Sequence, residues 1–369
     1  MELSLLMKAF NVSGRLVTIN PTGNGNVNDT FLAIFRNTFA EEQVILQRVN
    51  SNVFPKPEAI MHNLRQLTAH VHPKLEAESG TADRVWQMPR IVQTRDGKDF
   101  FVDEAGDLWR VITKIASATA FEEAQGAEHA AECGAVLGHF HWLVSDLSPK
   151  TMIDPLPGFH ITPGYLDKYD VTLKSVPLAN ERLNASMEAR RMAMFVEERR
   201  GFAATLQKAL DSGELTLRMM HGDPKVNNIM IDDFTGKGTA MIDLDTVSPG
   251  LIHYDFGDAL RSICNHAGED EQNLSKVVFD LDLCAAFCKG YMAHSHGFLT
   301  EADRKYLYDA IRLITFELGL RFFQDYLAGS VYFKIRHPEQ NLNRARVQFR
   351  LCESIEARER QIRDLLNGL

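Results

Sequence analysis

The sequence predicts an α+β fold with two lobes, a small antiparallel sheet followed by a larger, mainly helical lobe. Short strand-like runs joined by glycine and Asp/Gly turns fill the first 116 residues, whereas helical periodicity dominates from about residue 121 onward. An apolar hairpin with polar ends, residues 219–245, interrupts the helical part. We therefore predict one lobe over residues 1–116 and a second over 117–369, with the functional groups at the hairpin.

Length and charge limit the kind of protein this can be. The chain has 369 residues, 45% of them hydrophobic, which is enough for two sizeable cores. A net charge of −9 at pH 7 provides no basic surface for nucleic acid. The first apolar run is too short for a signal peptide, and no stretch reaches the ~20 apolar residues of a membrane span. We expect a cytoplasmic monomer or weak homodimer that binds neither nucleic acid nor membrane.

The cysteines predict free thiols. There are five, an odd number, and they lie in apolar helical patterns, so buried thiols are expected instead of disulfides. Cys284 and Cys288 can share a helix face, but no His or Cys stands at zinc-ligand spacing around them.

The hairpin carries the residue types that phosphoryl transfer requires. Asp223 follows His221 by two residues, Asn228 lies five further on, and Asp243 ends the next strand. The turn at residues 232–238 makes the two strands antiparallel neighbours, so these polar groups should meet. Asp223 is the candidate base for an acceptor hydroxyl, and Asn228 and Asp243 are candidate magnesium ligands. The alternative is an ordinary hairpin with capping carboxylates.

Three nearby residues complete the predicted catalytic loop. Lys225 can reach a transferring phosphate, and His221 is expected to brace the loop by hydrogen bonds. The segment 255–257 spells Asp-Phe-Gly, the magnesium motif of protein kinases, but it begins 32 residues after Asp223, whereas Asp243 lies 20 residues after and ends an apolar strand. We therefore predict that Asp255 is a helix N-cap or a brace for the loop.

Nucleotide contacts are expected in the first lobe. Gly23, Gly25 and Asn28 lie in a strand–turn–strand pattern where glycines let backbone N–H groups approach a phosphate, although an ordinary turn has the same pattern. Lys114 and Ala116 lie where the chain passes between the lobes, so their main chain is predicted to bind adenine. A plain linker is the alternative.

A cation for phosphate is expected on the strand 44–50. A protein kinase carries its phosphate-binding Lys on the corresponding strand, where this chain has Gln47 and Arg48. These two side chains lie on opposite faces of the strand, and the sequence does not fix which face meets the nucleotide. We choose Arg48 because a guanidinium can bind phosphate oxygens in a bidentate way. Glu58 can pair with Arg48 or simply stabilise the start of the next helix.

Two later segments are candidates for the acceptor pocket. Residues 149–174 are rich in Pro and Gly and predict a functional loop, with His160 and Thr162 as polar candidates. A helix at 311–327 places Glu317, Arg321 and Asp325 on one face at i, i+4 and i+8. This row forms either a ladder of salt bridges or a polar ligand site.

The loop with His221, Asp223 and Asn228, followed by Ile242–Asp245, resembles the aminoglycoside phosphotransferase and choline kinase family, which shares the bilobal protein-kinase fold. Longer runs are similar to the N-acetylhexosamine 1-kinases of that family: 44–50, 243–250, 255–258, 321–327 and 331–333. The resemblance implies that ATP and Mg²⁺ are used to phosphorylate the anomeric hydroxyl of an N-acetylhexosamine.

The same resemblance implies the acceptor contacts. Arg321, Asp325 and Tyr332 would hold the sugar near Asp223, and Asp245 would be a second metal ligand or an acceptor contact. Three rivals remain: an aminoglycoside kinase, a kinase of choline or another amino alcohol, and a silent ATP-binding module. Residues 321–350 contain six Lys or Arg against two acids, which disfavours a polycationic aminoglycoside.

Overall fold

The first lobe is an antiparallel sheet with two helices. The computed structural model describes residues 2–23, 27–79 and 84–368. The strands of this lobe are β1 (Arg15–Pro21), β2 (Asp29–Arg36), β3 (Glu41–Arg48), β4 (Ile91–Val92), β5 (Phe101–Val102) and β6 (Leu108–Thr113). Their order is β1-β2-β3-β6-β4, and β5 pairs with β6. All these pairings are antiparallel, as expected from the tight turns in the sequence.

Helices α1 (Leu3–Leu6) and α2 (Pro57–Glu78) accompany the sheet. Helix α2 continues through Pro73, which lies inside it. Leu67 and Val71 are fully buried on its inner face. Packing of that face therefore outweighs the missing N–H of the proline, which ordinarily disfavours a helix interior.

Two small antiparallel sheets mark the start of the second lobe and the predicted hairpin. Their strands are β7 (Ala118–Ala120), β8 (Arg218–Met220), β9 (Ile229–Asp232), β10 (Gly238–Met241) and β11 (Ser248–Gly250). One sheet has the order β10-β9-β7, and the other joins β11 to β8. The hairpin β9–β10 is confirmed, and the N–H of Ile242 donates to the carbonyl of Asn228 at 2.9 Å, so the candidate metal ligands are neighbours.

The rest of the lobe is helical: α3 (Ala127–Leu143), α4 (Thr162–Ser175), α5 (Pro177–Ala185), α6 (Met187–Arg199), α7 (Thr205–Asp211), α8 (Ile252–Ile263), α9 (Leu281–His294), α10 (Glu301–Lys305), α11 (Leu307–Ala328), α12 (Gln340–Glu356) and α13 (Glu359–Asn367). The prediction of one long loop over 149–174 is wrong in its second half, which forms α4. Pro163 lies in the first turn of α4, where a proline costs little because that N–H has no partner in the helix.

Helices α3 and α9 touch backbone to backbone. A Cβ at Gly290 would lie 1.9 Å from the carbonyl oxygen of Ala131, and one at Gly134 would lie 2.0 Å from that of Phe287. Only glycine permits this approach. Helix α3 also carries His141, which binds Asp255 beneath the predicted catalytic loop. The close contact between α3 and α9 therefore fixes the position of His141.

The arrangement is the predicted α+β fold, with a sheet lobe followed by a helical lobe. All five cysteines are buried and free, as expected. Over the described ranges, no helix combines the length and apolar character needed to cross a bilayer.

Candidate active site

Asp223 lies at the centre of a short hydrogen-bonded loop after β8. Its Oδ2 atom accepts from Nζ of Lys225 at 2.7 Å and from Nδ2 of Asn228 at 3.1 Å. Nδ2 of Asn228 also donates to the main-chain carbonyl of Asp223 at 2.8 Å. Burial raises the pKa of Asp223, but the charge and hydrogen bond of Lys225 outweigh it and lower that pKa. The carboxylate is therefore ionised at neutral pH.

The main chain of this loop is fastened to the helical core by Asp255. The fully buried carboxylate accepts the N–H groups of His221 at 2.6 Å and of Gly222 at 2.7 Å, and it also accepts Nε2 of His141 at 2.9 Å. His221 in turn donates from Nε2 to the carbonyl of Ile242 at 3.0 Å. These contacts agree with the bracing roles predicted for His221 and Asp255.

Asp243 lies two residues after the end of β10, in the left-handed region with φ 62° and ψ 56°. A residue other than glycine in this region is strained, and such strain is often found at functional sites. Its carboxylate has no hydrogen bond or ion pair with any described residue. Desolvation in the cleft and the negative charges of Asp245 and Asp223 raise its pKa to about 7. The cleft therefore concentrates negative charge that a cation would offset.

The donors fit a magnesium ion that shares its shell with phosphate and water. Asn228 uses its amide nitrogen within the loop, which leaves its Oδ1 atom for a metal, and Asp243 adds a free carboxylate. Mg²⁺ prefers six oxygen ligands and usually takes only one or two from carboxylates. In residues 2–23, 27–79 and 84–368, no three His, Cys, Asp or Glu side chains are grouped to hold a metal. Phosphate and water oxygens would have to complete the shell.

Asp245 joins the two lobes. Its fully paired carboxylate accepts Nη2 of Arg110 at 2.5 Å and Nδ2 of Asn28 at 2.7 Å. The Oδ1 atom of Asn28 is also used, by the N–H of Asn50 at 3.0 Å. We therefore revise both predictions: Asn28 and Asp245 bind each other across the cleft, so direct contacts to nucleotide, metal or acceptor are not what this geometry supports.

The register of β3 against β6 shows that Arg110, and not the predicted Arg48, is the cation that faces the cleft. Gln47 lies opposite Arg110 in the sheet, and its Oε1 atom accepts Nε and Nη2 of Arg110 at 3.0 and 2.7 Å. Arg48 points to the other face, where it pairs with Asp29 at 2.5 Å and Asp107 at 3.0 Å, with 43% of its side chain exposed. Arg48 therefore has two carboxylate partners without the ion pair to Glu58 that the sequence suggested.

Arg110 was missed in the sequence, although it is the only charged residue in the strand Leu108–Thr113. A single charge within an apolar strand is the signal that could have identified it. The side chain is 3% exposed, and its Nη1 atom is buried without a hydrogen-bond partner among the described residues. Such a donor is costly unless a ligand meets it.

The segment between the lobes differs from the prediction. The side chain of Gln87 accepts the N–H of Ala116 at 3.1 Å and donates to its carbonyl at 3.2 Å. Both main-chain groups of Ala116 are thus occupied, and the predicted adenine contact there is not supported. Lys114 remains a prediction. Gly23 has a φ of 76° with no described atom within 4 Å of an added Cβ, and Gly25 lies outside the described residues.

Arg321 on α11 lies in a box of aromatic rings. Its guanidinium carbon is 5.2 Å from the ring centre of Phe159, 5.1 Å from Tyr165 and 5.6 Å from Phe333. It forms no hydrogen bond or ion pair with a described side chain. Burial lowers the pKa of Arg321, but electrostatic interactions with Tyr165, Glu317, Tyr332 and Asp223 outweigh it and raise that pKa. Tyr165 was not identified from the sequence.

Asp325 supports this box by binding the main chain of the segment that follows α11. Its carboxylate accepts the N–H groups of Val331, Tyr332 and Phe333 at 2.9, 2.8 and 3.0 Å, and Nδ2 of Asn341 at 2.8 Å. With both oxygens engaged and 2% exposure, it shapes the segment that carries Tyr332. We revise its predicted role from direct sugar contact to support of Tyr332, which is 53% exposed.

Glu317, one turn before Arg321, is also occupied within the protein. Its oxygens accept Nδ1 of His160 at 2.9 Å and Oγ1 of Thr162 at 2.6 Å. The other ring nitrogen of His160 meets the carbonyl of Gly222 at 2.9 Å. The two polar candidates of the Pro/Gly-rich segment therefore connect α11 to the catalytic loop.

The fold is two-lobed with a protein-kinase-like architecture, and the match to a family model identifies the chain as a phosphotransferase. The chain belongs to the phosphotransferase enzyme family, which it matches over residues 18–291. It shares the fold of a microcompartment-associated aminopropanol kinase (TM-score 0.63, 17% identity, 98% of each chain covered). It is similarly related to a choline kinase from Cryptosporidium parvum Iowa II (TM-score 0.62, 11% identity, 99% of each chain) and to a spectinomycin phosphotransferase in complex with ADP and spectinomycin (TM-score 0.59, 12% identity, 97% of each chain). These identities support a common fold only.

Proposed function

We propose that the protein is an ATP- and magnesium-dependent kinase that phosphorylates the anomeric hydroxyl of an N-acetylhexosamine, N-acetylglucosamine or N-acetylgalactosamine. Membership of the phosphotransferase family supports the reaction class. The convergence of Asp223, Asn228 and Asp243 on one hairpin supports the chemistry, because these are a base and two metal ligands. The sugar itself follows from the resemblance seen in the sequence and from the charge of the acceptor side.

Asp223 would orient and deprotonate the acceptor hydroxyl. Lys225 and Asn228 both donate to its Oδ2 atom, which leaves Oδ1 to accept the hydroxyl proton. The lowered pKa of Asp223 makes it a weak base. That suits a loose phosphoryl-transfer transition state, in which positioning and charge stabilisation contribute more than early proton removal. Magnesium held by Asn228 and Asp243 would neutralise charge on the phosphates.

Arg110 would bind an ATP phosphate. Its unpaired Nη1 group is buried in the cleft beside Asp245, and leaving such a donor unsatisfied costs roughly 1–3 kcal/mol. A phosphate oxygen would satisfy it with a charge-assisted hydrogen bond. The neighbouring position that we predicted for this role, Arg48, is already paired with two carboxylates on the other face.

The surroundings of Arg321 are the observation that supports the proposed class of acceptor. Aromatic boxes bind the cations of amino alcohols by cation–π contacts. Here the protein's own guanidinium occupies the box formed by Phe159, Tyr165 and Phe333. A positively charged acceptor would meet a like charge, whereas the hydroxyl and N-acetyl oxygens of a neutral sugar can accept the free guanidinium donors. This favours the amino-sugar derivative over choline, aminopropanol or an aminoglycoside.

A panel of acceptors tests the proposal. The protein is incubated with ATP, Mg²⁺ and either N-acetylglucosamine, N-acetylgalactosamine, glucose, choline, 1-amino-2-propanol or spectinomycin, and products are read by phosphorus–proton coupling. We expect a sugar 1-phosphate from an N-acetylhexosamine, and strongly reduced product with the Asp223→Asn variant, which controls for contaminating kinases. Phosphate on the 6-hydroxyl, or turnover of a cationic acceptor alone, would contradict the assignment. Absence of any magnesium-dependent ATP turnover would indicate a silent module.

Arg321→Met tests the acceptor contact separately. Methionine keeps the packing against the rings but removes the donors, so the KM for the sugar should rise while the KM for ATP stays nearly constant. Arg350→Met is the control, because Arg350 pairs with Glu353 on an exposed face of α12. Equal effects of the two variants would remove Arg321 from the acceptor site.

A further inference from the structure

His160 connects the acceptor helix to the catalytic loop through both of its ring nitrogens. Nδ1 lies 2.9 Å from Oε1 of Glu317 on α11, and Nε2 lies 2.9 Å from the carbonyl oxygen of Gly222. The ring is 4% exposed and is stacked against Tyr254 with a centroid distance of 5.4 Å. The backbone of His160 is left-handed, with a φ of 58°. This strain, in a residue other than glycine, is maintained where the ring bridges the two elements.

The hydrogen-bond partners of His160 indicate which of its ring nitrogens carry a hydrogen. A carbonyl can only accept, so Nε2 must carry a hydrogen to bond Gly222. The contact between Nδ1 and Oε1 of Glu317 needs a second hydrogen, and Oε2 of Glu317 already accepts from Thr162. The pair of side chains therefore holds two exchangeable hydrogens, one on Nε2 and one between Nδ1 and Oε1; with Glu317 ionised, the ring is an imidazolium beside a carboxylate. Removing one of them would set two lone pairs against each other at 2.9 Å.

The carbonyl held by His160 belongs to the peptide that leads into Asp223. The N–H of the same peptide, on Asp223, donates to Nδ1 of His221 at 3.3 Å. The preceding N–H, on Gly222, donates to Asp255 at 2.7 Å. His160 thus holds this peptide from the side of α11, the helix of the proposed acceptor site. Losing it would free the peptide to rotate and turn the carboxylate of Asp223 away.

We propose that His160 is a positioning residue, held as an imidazolium, that aligns Asp223 with an acceptor bound at α11 and whose proton is required for turnover. This inference rests on the proposed kinase function, with Asp223 as the base. The pairing explains why a charged pair is kept buried between α11 and the loop: Glu317 sits one turn from Arg321 on the same helix, so acceptor contact and base alignment share one rigid element.

The charged and titratable groups around His160 favour the charged ring. Burial lowers the pKa of His160, but the hydrogen bond and charge of Glu317, the Gly222 carbonyl and the charge of Asp258 outweigh it and raise that pKa above its usual 6.5. The groups that act on it from the packed elements are Glu317 on α11, Asp258 and Tyr254 on α8, and Tyr165 on α4, while Thr162 on α4 binds the second oxygen of Glu317. These contacts favour the imidazolium, which is lost as the pH rises through the raised pKa.

The pH dependence of kcat tests the proposal. The wild type should lose kcat at alkaline pH as His160 deprotonates. In Glu317→Gln, the acid that raises the pKa of His160 is gone while burial remains, so the alkaline limb should move to lower pH by at least one unit, with the KM for ATP unchanged. In His160→Gln, the limb should vanish and kcat should be lowered about tenfold at every pH. His70→Gln is the control, since His70 forms a 2.8 Å pair with Asp146 nearer the surface. A purely structural role would lower activity without moving the limb, and an unmoved limb in Glu317→Gln overturns the proposal.

A second readout does not depend on turnover. Protein labelled with ¹⁵N-histidine is titrated without ligands, and the resonances missing from His160→Gln identify the ring. We expect both ring nitrogens to carry protons at pH 7 and the ring to titrate above 6.5. A neutral ring at pH 7 overturns the proposal. If no acceptor in the panel is phosphorylated, the proposed function fails, whereas this titration still decides the protonation of His160.

Discussion

Replacing Arg110 by glutamine should weaken the connection between the lobes more than any surface charge change. Arg110 and Asp245 are each 3% exposed, and the variant leaves the carboxylate of Asp245 buried without its counter-charge. Breaking a buried ion pair in this way costs about 3–5 kcal/mol. For 369 residues that unfold together, the unfolding entropy is about 0.8 kcal/mol per kelvin, so Tm should fall by about 4–6 °C.

Thermal unfolding followed by circular dichroism measures this loss, and Arg48→Gln provides the matched control. Arg48 lies on the neighbouring strand with the same side chain, but its two ion pairs are half-exposed, so its loss should cost no more than about 1 kcal/mol. The KM for ATP should rise in Arg110→Gln and remain unchanged in Arg48→Gln, because only Arg110 faces the cleft.

A double-mutant cycle separates the pair from its surroundings. Asp245→Asn removes the buried charge, so Arg110→Gln combined with it should cost less than the sum of the single variants, with a coupling energy of about 1–3 kcal/mol. Costs that add within about 0.5 kcal/mol, or equal destabilisation by Arg110→Gln and Arg48→Gln, would refute the view that this ion pair joins the lobes.

Three further predictions concern the loop and the core. Asp223→Asn should lower turnover by roughly 10²–10⁴-fold with ATP affinity little changed, measured by steady-state kinetics; a loss below tenfold would point to another base. Asp243→Asn should nearly abolish turnover in a folded protein, whereas Asp255→Asn should act mainly by lowering Tm; an active Asp243→Asn would mean that the wrong aspartate is assigned. Gly290→Ala should cost about 1–3 kcal/mol in urea unfolding because its Cβ would meet a carbonyl at 1.9 Å, whereas Gly164→Ala, whose Cβ would have no described neighbour within 4 Å, should not destabilise.

The sequence was informative where function and local pattern coincide. The hairpin around Asn228 could be predicted because strand alternation and an Asp/Gly turn are local signals. Asp255 could be separated from Asp243 because only Asp243 ends an apolar strand, and the structure shows Asp255 beneath the loop, where it accepts main-chain N–H groups. The charged face of α11 could also be predicted, since helical spacing alone places Glu317 and Arg321 one turn apart.

Contacts that depend on register or on main-chain turns could not be predicted. Alternation leaves two faces for β3, and only the pairing with β6 shows that Gln47 and Arg110 share the inner one. Asp325 has the spacing of a ligand residue, but the chain turns back after Gly329, whose φ is 105°, and presents three N–H groups to it. Side chains can also occupy main-chain groups, as Gln87 does at Ala116, and no sequence pattern indicates such a pairing.

The attachment of the catalytic loop to Asp255 has a consequence for hydrogen exchange. Loops that carry active sites usually open locally and exchange their amide hydrogens quickly, because their opening costs far less than unfolding the domain. Here the amides of His221 and Gly222 donate to a carboxylate that is completely buried in α8 and is itself held by His141 of α3. Opening the loop would break the hydrogen bonds of a carboxylate that is buried in the core. We therefore expect the amides of His221 and Gly222 to exchange as slowly as those of the central helices.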